Sequence, residues 1–282
     1  MQRFLKRYYL LFTALVFAAF LISFVIPFCM SVYLSLVHFN SFTDFQWAGI
    51  DNFIEIFALN SPFMGALLLT LKFAVICAIS VNIISFVIAF IFKSGFKGSK
   101  FFKSAFFMPS ILSGIVLGYV WQIIFSSILN NLFALNLSGV SEYSSFQLSL
   151  IMNWQLIGYM ILIYTASFNA VSQEVLEAAR TDGASPFRIL ISIKIPSFMP
   201  SVIICIFLSA FNAFKIFEQN LILSQSAADF PQMLALNIFN TFYKKQELIG
   251  QAGAQTVIFF VIAAILSFII IRAVDKRGIA DE

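Results

Sequence analysis

Long apolar runs alternate with short polar stretches along this chain. Six runs stand out, at about 9–34, 65–92, 105–126, 148–171, 198–223 and 254–273. Each reaches the roughly 18 residues that a helix needs to cross a bilayer. The pattern predicts an all-α integral membrane fold with six transmembrane helices in a single domain, residues 1–282. No internal repeat and no low-complexity segment interrupts it. The first run follows Arg3, Lys6 and Arg7, as a signal peptide would. It is long for a signal core and no small-residue cleavage site ends it, so it reads as a retained helix.

One polar stretch breaks the pattern differently from the rest. Residues 177–196 read EAARTDGASPFRILISIKIP, between the fourth and fifth runs. Residues 172–182 read as a short helix, with Ser172 as cap and Glu174 in the first turn, where the helix dipole favours an anion. Gly183 ends it, as a residue free to turn left-handed. Ser185 before Pro186 starts a second helix, 186–195, running to Pro196. The loop 172–197 is therefore helix, Gly, helix, sharply bent. Glu174, Glu177 and Thr181 form a polar stripe, Val175, Ala178 and Ala179 a narrow apolar side. Glu177 and Arg180 are spaced to pair at i, i+3, for a few tenths of a kcal/mol. Two readings fit these residues equally: an ordinary charged loop, or a compact docking element for a soluble partner.

Charge fixes the predicted topology. Lysine and arginine total 17, against 13 aspartates and glutamates. Thirteen of the 17 fall at the N-terminus (Arg3, Lys6, Arg7), around 93–104 (Lys93, Lys97, Lys100, Lys103), in 172–197 (Arg180, Arg188, Lys194) and in the tail (Arg272, Lys276, Arg277). Six alternating spans put all of them on one side, which the positive-inside rule makes cytoplasmic. Both termini and the 172–197 loop are then cytoplasmic. The loops of the other side hold only Lys244 and Lys245. The first external loop, about 35–64, is acidic, with Asp44, Asp51 and Glu55; the third, about 127–147, holds Glu142. In the fifth, a mixed run at 232–249 after Pro231 suits a short interfacial helix.

Composition excludes several classes. A chain 61% hydrophobic and 11% charged, with mean hydropathy +0.95, lacks the charge that a soluble domain needs. Its bases sit in separate juxtamembrane loops, which argues against nucleic-acid binding. Cys29, Cys77 and Cys205 lie in apolar runs without metal-ligand spacing and read as packing residues. His38 has no ligand cluster beside it, so no metal site is expected.

The quoted stretch resembles the EAA loop of ABC importer permeases. That pattern runs, in outline, E-A-A-x-x-D-G-A, an aromatic, then I-x-x-P. Glu177, Ala178, Ala179, Asp182, Gly183, Ala184, Phe187, Ile193 and Pro196 match it in register. The resemblance extends over most of the chain and is nearest to the maltose-transporter-like permeases of carbohydrate importers. Thr70 and Leu71, Pro109, Trp121, Phe125, Asn130 in ILNNL, Trp154 and Gly158 fit it. FKIFEQNLILS, 214–224, resembles the family's F-K-x-F-D segment, with Glu218 in place of Asp. SQSAADFPQ departs from the Gly-rich turn that often follows.

The resemblance implies a coupling helix at 172–197 that docks in a cleft of a separate ATPase. Glu177, Ala178, Ala179, Asp182, Gly183, Ala184 and Phe187 would carry the coupling. It implies ATP and Mg on a partner ATP-binding subunit dimer and no cofactor on this chain. It also implies a second permease subunit, usually non-identical, and an extracytoplasmic solute-binding protein. The expected location is a bacterial or archaeal cytoplasmic membrane, multi-pass. The chain carries no G-x-x-x-x-G-K-[ST] phosphate loop, so it is not itself expected to be an enzyme.

Polar residues within the spans complete the picture. Lys215 and Glu218, at i, i+3 in the outer half of the fifth run, read as an ion pair at an outer gate. Lys72 reads as snorkelling. A sugar path needs hydrogen-bonding groups beside aromatic faces. Asn153, Trp154 and Tyr159 in the fourth run, Asn212 in the fifth, and Tyr119 and Gln122 in the third are candidates. Gln155 in the fourth run and Trp121 in the third are candidates too, with Asn169 nearby. The same residues also suit plain interhelical packing. The function expected is the membrane subunit of an ATP-driven importer for a sugar, oligosaccharide or glycerol-phosphate-like solute. An ion-coupled secondary transporter is the alternative, but it predicts repeats and a mid-membrane carboxylate. A membrane enzyme would need clustered His or carboxylates.

Overall fold

A computed structural model describes residues 13–41, 44–93, 95–129, 141–225 and 230–275. Arg3, Lys6, Arg7, Asn130, Lys276 and Arg277 lie outside these residues, as does 226–229 of the SQSAADFPQ stretch. The chain divides into two compact units. The first comprises residues up to Gly65 with Asn237–Ile262, the second Ala66–Leu236 with the chain from Ala263 on.

In the first unit, α1 (Thr13–Ser35) is a long apolar helix with a π-helical turn at Leu21–Val25. It leads into a hairpin of β1 (Val37–Ser41) and β2 (Asp44–Trp47), antiparallel with Val37 opposite Trp47. A short helix, α2 (Asp51–Ile56), follows. Buried Asn52 donates from Nδ2 to the carbonyls of Ser35 and Val37, both at 3.0 Å, and so ties α2 to the hairpin. The acidic stretch 35–64 is thus folded, where the sequence offers only a loop. His38 faces Asp51 at 4.0 Å. The Phe28 and Phe260 rings, 4.4 Å apart, join α1 to the later part of the unit.

The second unit is built on α3 (Pro62–Lys93), which begins just before it. Then come α4 (Ser99–Ile111), α5 (Gly114–Ile123) with a π-helical extension to Leu129, and α6 (Ser141–Phe168). Next are α7 (Gln173–Thr181), α8 (Pro186–Ile189), a π-helical turn at Leu190–Lys194, α9 (Ile195–Phe214) and α10 (Glu218–Ser224). Helix α11 (Leu234–Lys244) and helix α12 (Ile249–Asp275) run through the boundaries between the units.

A buried polar knot holds three helices of this unit together. Asn82 on α3 donates to Ser209 Oγ on α9 at 2.7 Å and accepts from the Tyr164 hydroxyl on α6 at 2.6 Å. All three side chains are buried, and each polar group left without a partner there would cost free energy. Helices α4 and α6 touch at Gly158, where a β-carbon would collide with the Phe106 carbonyl. Thr70, wholly buried on α3, accepts from Leu234 N at 2.8 Å. Asn220 accepts from Met233 N at 2.9 Å. Two remote side chains therefore cap the start of α11, within the 232–249 run.

Among the described residues, five helices are long and apolar enough to cross a membrane, or six if α4 and α5 form one broken span. The third run is not the continuous helix that its hydropathy predicts. It bends by 103° between α4 and α5. Pro109 lies near the end of α4, Leu112 is extended, and Ser113 caps a new helix by accepting from Ile115 N at 3.3 Å. The fifth run breaks after Phe214, and Lys215 caps α9. In contrast, Pro196 does not end a helix. It sits in the first turn of α9, directly after the π-helical turn that the Ile195 N to Leu190 O bond closes.

Candidate functional site: a capped turn and a polar cavity

The loop at 172–197 folds by the caps that its sequence carries. Ser172 Oγ accepts from Val175 N at 3.4 Å, and Ser185 Oγ accepts from Arg188 N at 3.3 Å, with Pro186 in the first turn of α8. Between them, Gly183 takes φ +78°, and no atom lies within 4 Å of where its β-carbon would be. Ala184 N donates to Ala179 O and Gly183 N to Arg180 O, both at 3.0 Å. This 6→1 and 5→2 pair is the Schellman arrangement for closing a helix through a left-handed residue.

Leu176 anchors α7 as its buried residue, and Ile189 anchors α8. Val175 faces outward, so the apolar side expected for it turns instead towards Leu176. Glu177, Ala178, Asp182 and Gly183 are exposed, Ala179 and Ala184 half-buried, and Phe187 stands 70% exposed. The loop thus presents a carboxylate, small residues and a phenyl ring together. Glu177 and Arg180 form no salt bridge among the described residues. The Glu177 backbone carbonyl accepts from the Thr181 hydroxyl at 3.0 Å.

A second feature lies where α6, α9 and α10 meet. A cavity of about 260 Å³ is lined by Gln155, Asn212, Lys215, Glu218 and Gln219, with Met152 and Leu156 among its apolar walls. Gln219 donates to Gln155 Oε1 at 2.7 Å. Lys215 and Glu218 both line the cavity but form no ion pair among the described residues. The chain break between α9 and α10 removes the helical spacing on which that pairing depends. Lys215 Nζ lies 5.4 Å from the centre of the Phe211 ring. Glu218 Oε2 accepts from Ile115 N at 3.1 Å and Ser113 Oγ at 3.4 Å, so it caps the bend before α5. A carboxylate at a helix N-terminus is favourably placed. Gly114 leaves it room: a β-carbon there would lie 2.6 Å from Glu218 Oε2.

Of the predicted path residues, Asn212 and Gln155 line this cavity. Asn153 donates to Ser149 O at 2.7 Å along its own helix. Trp154 meets Trp121 edge to face, with centroids 5.6 Å apart. Tyr119 and Tyr159 are exposed, and Gln122 is half-buried on α5. These five are not among the cavity's lining. Gln219 was not singled out in the sequence, yet it is buried and bonded across the cavity. Its position one residue after Glu218, just past a helix break, was the available signal.

Residues 81–279 match the family described as binding-protein-dependent transport system inner membrane components. This chain belongs to that family: it is a permease subunit, not the ATP-hydrolysing one. It is 29% identical to the probable starch degradation products transport system permease protein AmyD of Thermoanaerobacterium thermosulfurigenes over 281 residues, covering 96% of this chain and 95% of the relative. It is 23% identical to the multiple sugar-binding transport system permease protein MsmF of Streptococcus mutans over 263 residues, 90% of each chain. A crystal structure of a bacterial ABC transporter that imports the acidic polysaccharide alginate superposes with TM-score 0.74 at 18% identity, covering 96% of this chain and 98% of that one. The likeness shows a shared fold, and the family is one of inner membrane components.

Proposed function

We propose that this chain forms half of the translocation path of a carbohydrate importer and couples it to a separate ATPase through residues 172–197. The exposed, rigidly capped turn at Gly183 carries the reading, together with family membership. The loop offers Glu177 and Phe187 on a surface whose shape is fixed by the Schellman closure and by the anchors Leu176 and Ile189. Glu177 would dock in the ATPase cleft, Gly183 would hold the bend, and Asp182 would keep the turn. ATP and Mg would bind the partner ATPase dimer, with no cofactor on this chain.

The remaining assignments follow from charge and kinship. Six spans, counting the bent pair as one, would form a single permease domain with both termini cytoplasmic, because thirteen of the 17 bases then share one side. The source would be a bacterial or archaeal cell. The partners would be a second, non-identical permease and an extracytoplasmic binding protein. Sugar-transporting relatives and a cavity of two glutamines, an asparagine, a lysine and a carboxylate favour a hydroxyl-rich solute.

The test is ATPase activity of the reconstituted transporter with and without binding protein, across a panel of sugars. Stimulation that needs one loaded binding protein and disappears in Glu177→Lys supports the reading. Uptake driven by an ion gradient and indifferent to the ATPase would overturn it.

A further inference from the structure

A second cavity, of about 300 Å³, opens where the ends of α3, α6 and α9 meet the capped loop. Its walls are almost entirely carbon. Phe86 and Phe90 come from α3, Phe168 from α6, Leu176 from α7, Leu190 from the π-helical turn and Phe198 from α9. The rings of Phe86, Phe168 and Phe198 pack against one another with centroids 5.1, 5.7 and 5.5 Å apart. Phe90 and Leu190 remain exposed, so the rim is open.

Two lysines break this apolar lining. Lys93 Nζ lies 5.8 Å from the centre of the Phe168 ring. Lys194 lines the same cavity, close enough for the two charges to repel. Among the described residues, Ser167 is the one other polar residue in the wall and no carboxylate lines it; Glu174 and Glu177 of α7 are not part of it. Among the described residues neither lysine makes a salt bridge.

Two like charges at the mouth of an apolar pocket are unfavourable until an anion sits between them. The phenyl walls call for an apolar chain. A soluble anion would leave the walls unused, and a neutral lipid would leave the lysines without a counter-charge. Lys93 ends the 32-residue apolar helix α3, at the level where a span meets the interface. Basic pockets between helix ends on the cytoplasmic side suit acidic lipid head groups. The volume, at the lower end of the usual range for ligand cavities, suits part of one acyl chain.

We propose that this cavity binds an anionic phospholipid of the inner leaflet, with its phosphate between Lys93 and Lys194 and one acyl chain along the phenyl wall. The assignment of the leaflet rests on the cytoplasmic placement of the 172–197 loop. Leu176, Pro186, Leu190 and Lys194 belong to that loop or its continuation, so the bound lipid braces the loop against α3 and α6. Head-group charge thereby tunes coupling.

The test uses the whole transporter in nanodiscs, with photo-crosslinkable phosphatidylglycerol or phosphatidylcholine, and maps the labelled peptides. Labelling within 86–93 and 186–198 should favour phosphatidylglycerol on the order of tenfold. Lys93→Gln with Lys194→Gln should bring the two lipids to parity, while Lys97→Gln with Lys100→Gln should leave the preference intact. Leu190→Trp, which fills the pocket and keeps both lysines, should cut labelling by both lipids. It decides the matter should the double lysine variant fail to fold. Equal labelling by the two lipids, an unchanged preference in the double variant, or complete displacement by millimolar inorganic phosphate would overturn the proposal. The readout needs no transport. Loss of ATP coupling with lipid selectivity intact would count against the importer reading alone, and the reverse against the lipid site alone.

Discussion

Replacing Gly183 tests whether the shape of the capped turn, rather than its charge, carries coupling. The residue sits at φ +78° with open space around its missing β-carbon. Steric collision therefore contributes nothing, and the cost of a substitution is the backbone cost alone. For an L-residue held left-handed that is about 1–2 kcal/mol, and less for Asn, whose short polar side chain tolerates the region. A cost of about 1.4 kcal/mol corresponds to a tenfold shift of an equilibrium. If the turn opens to relieve the strain, the two Schellman bonds to Ala179 and Arg180 are lost and α7 no longer presents Glu177 in one orientation. Solute-stimulated ATPase activity in proteoliposomes should fall in the order Gly, Asn, Ala, Val, with Ala down by up to about tenfold. Global stability in detergent should fall by no more than that same backbone cost, about 1–2 kcal/mol. Wild-type activity in Gly183→Val, or equal losses in Asn and Ala, would refute the reasoning. So would a loss that tracks global unfolding.

Three further outcomes can be checked independently. Gly158→Ala should destabilise the protein by about 1–3 kcal/mol in denaturant titrations, because its β-carbon meets the Phe106 carbonyl and a backbone must move. A double-mutant cycle of Asn82→Ala and Tyr164→Phe should give a coupling of about 0.6–1.7 kcal/mol in micellar unfolding, since each partner's loss strands the other. Gln155→Ala should raise the solute concentration for half-maximal ATPase stimulation by several-fold, up to about tenfold for one hydrogen bond, by freeing Gln219 in the polar cavity.

Local chemistry made the loop legible. Ser172, Gly183, Ser185 and Pro186 each carry a backbone instruction that acts within four residues, and the structure follows all four. The long apolar runs at α1, α3, α6 and α12 were equally plain, because hydropathy needs no knowledge of neighbours. The breaks were not. The 103° bend before α5 is capped by Glu218, more than a hundred residues away, whose Oε2 accepts from Ser113 Oγ and Ile115 N. Hydropathy averages over such a bend. Pro196 misled for the opposite reason: a proline often ends a helix, but here the helical run continues through it, directly after a π-helical turn. The expected Lys215–Glu218 pair assumed an unbroken helix. The polar cavity lies at that same break, which is why Gln219 escaped notice, while Gln155 and Asn212 were legible as polar residues within apolar runs.

The uninterrupted helical run from Pro186 through Phe214 has a mechanical meaning. Its 29 residues make a bar on the order of 40 Å long. One joint, the Gly183 turn, lies at its foot, and the other, at Lys215–Phe217, lies beside the polar cavity. A bar between two joints converts rotation at one end into displacement at the other. A tilt of about 10° at the foot would carry the head of a straight bar through roughly 7 Å. The π-helical turn at Leu190–Lys194 and Pro200 lie within the bar, so the gearing of this protein is set by how straight that stretch is held.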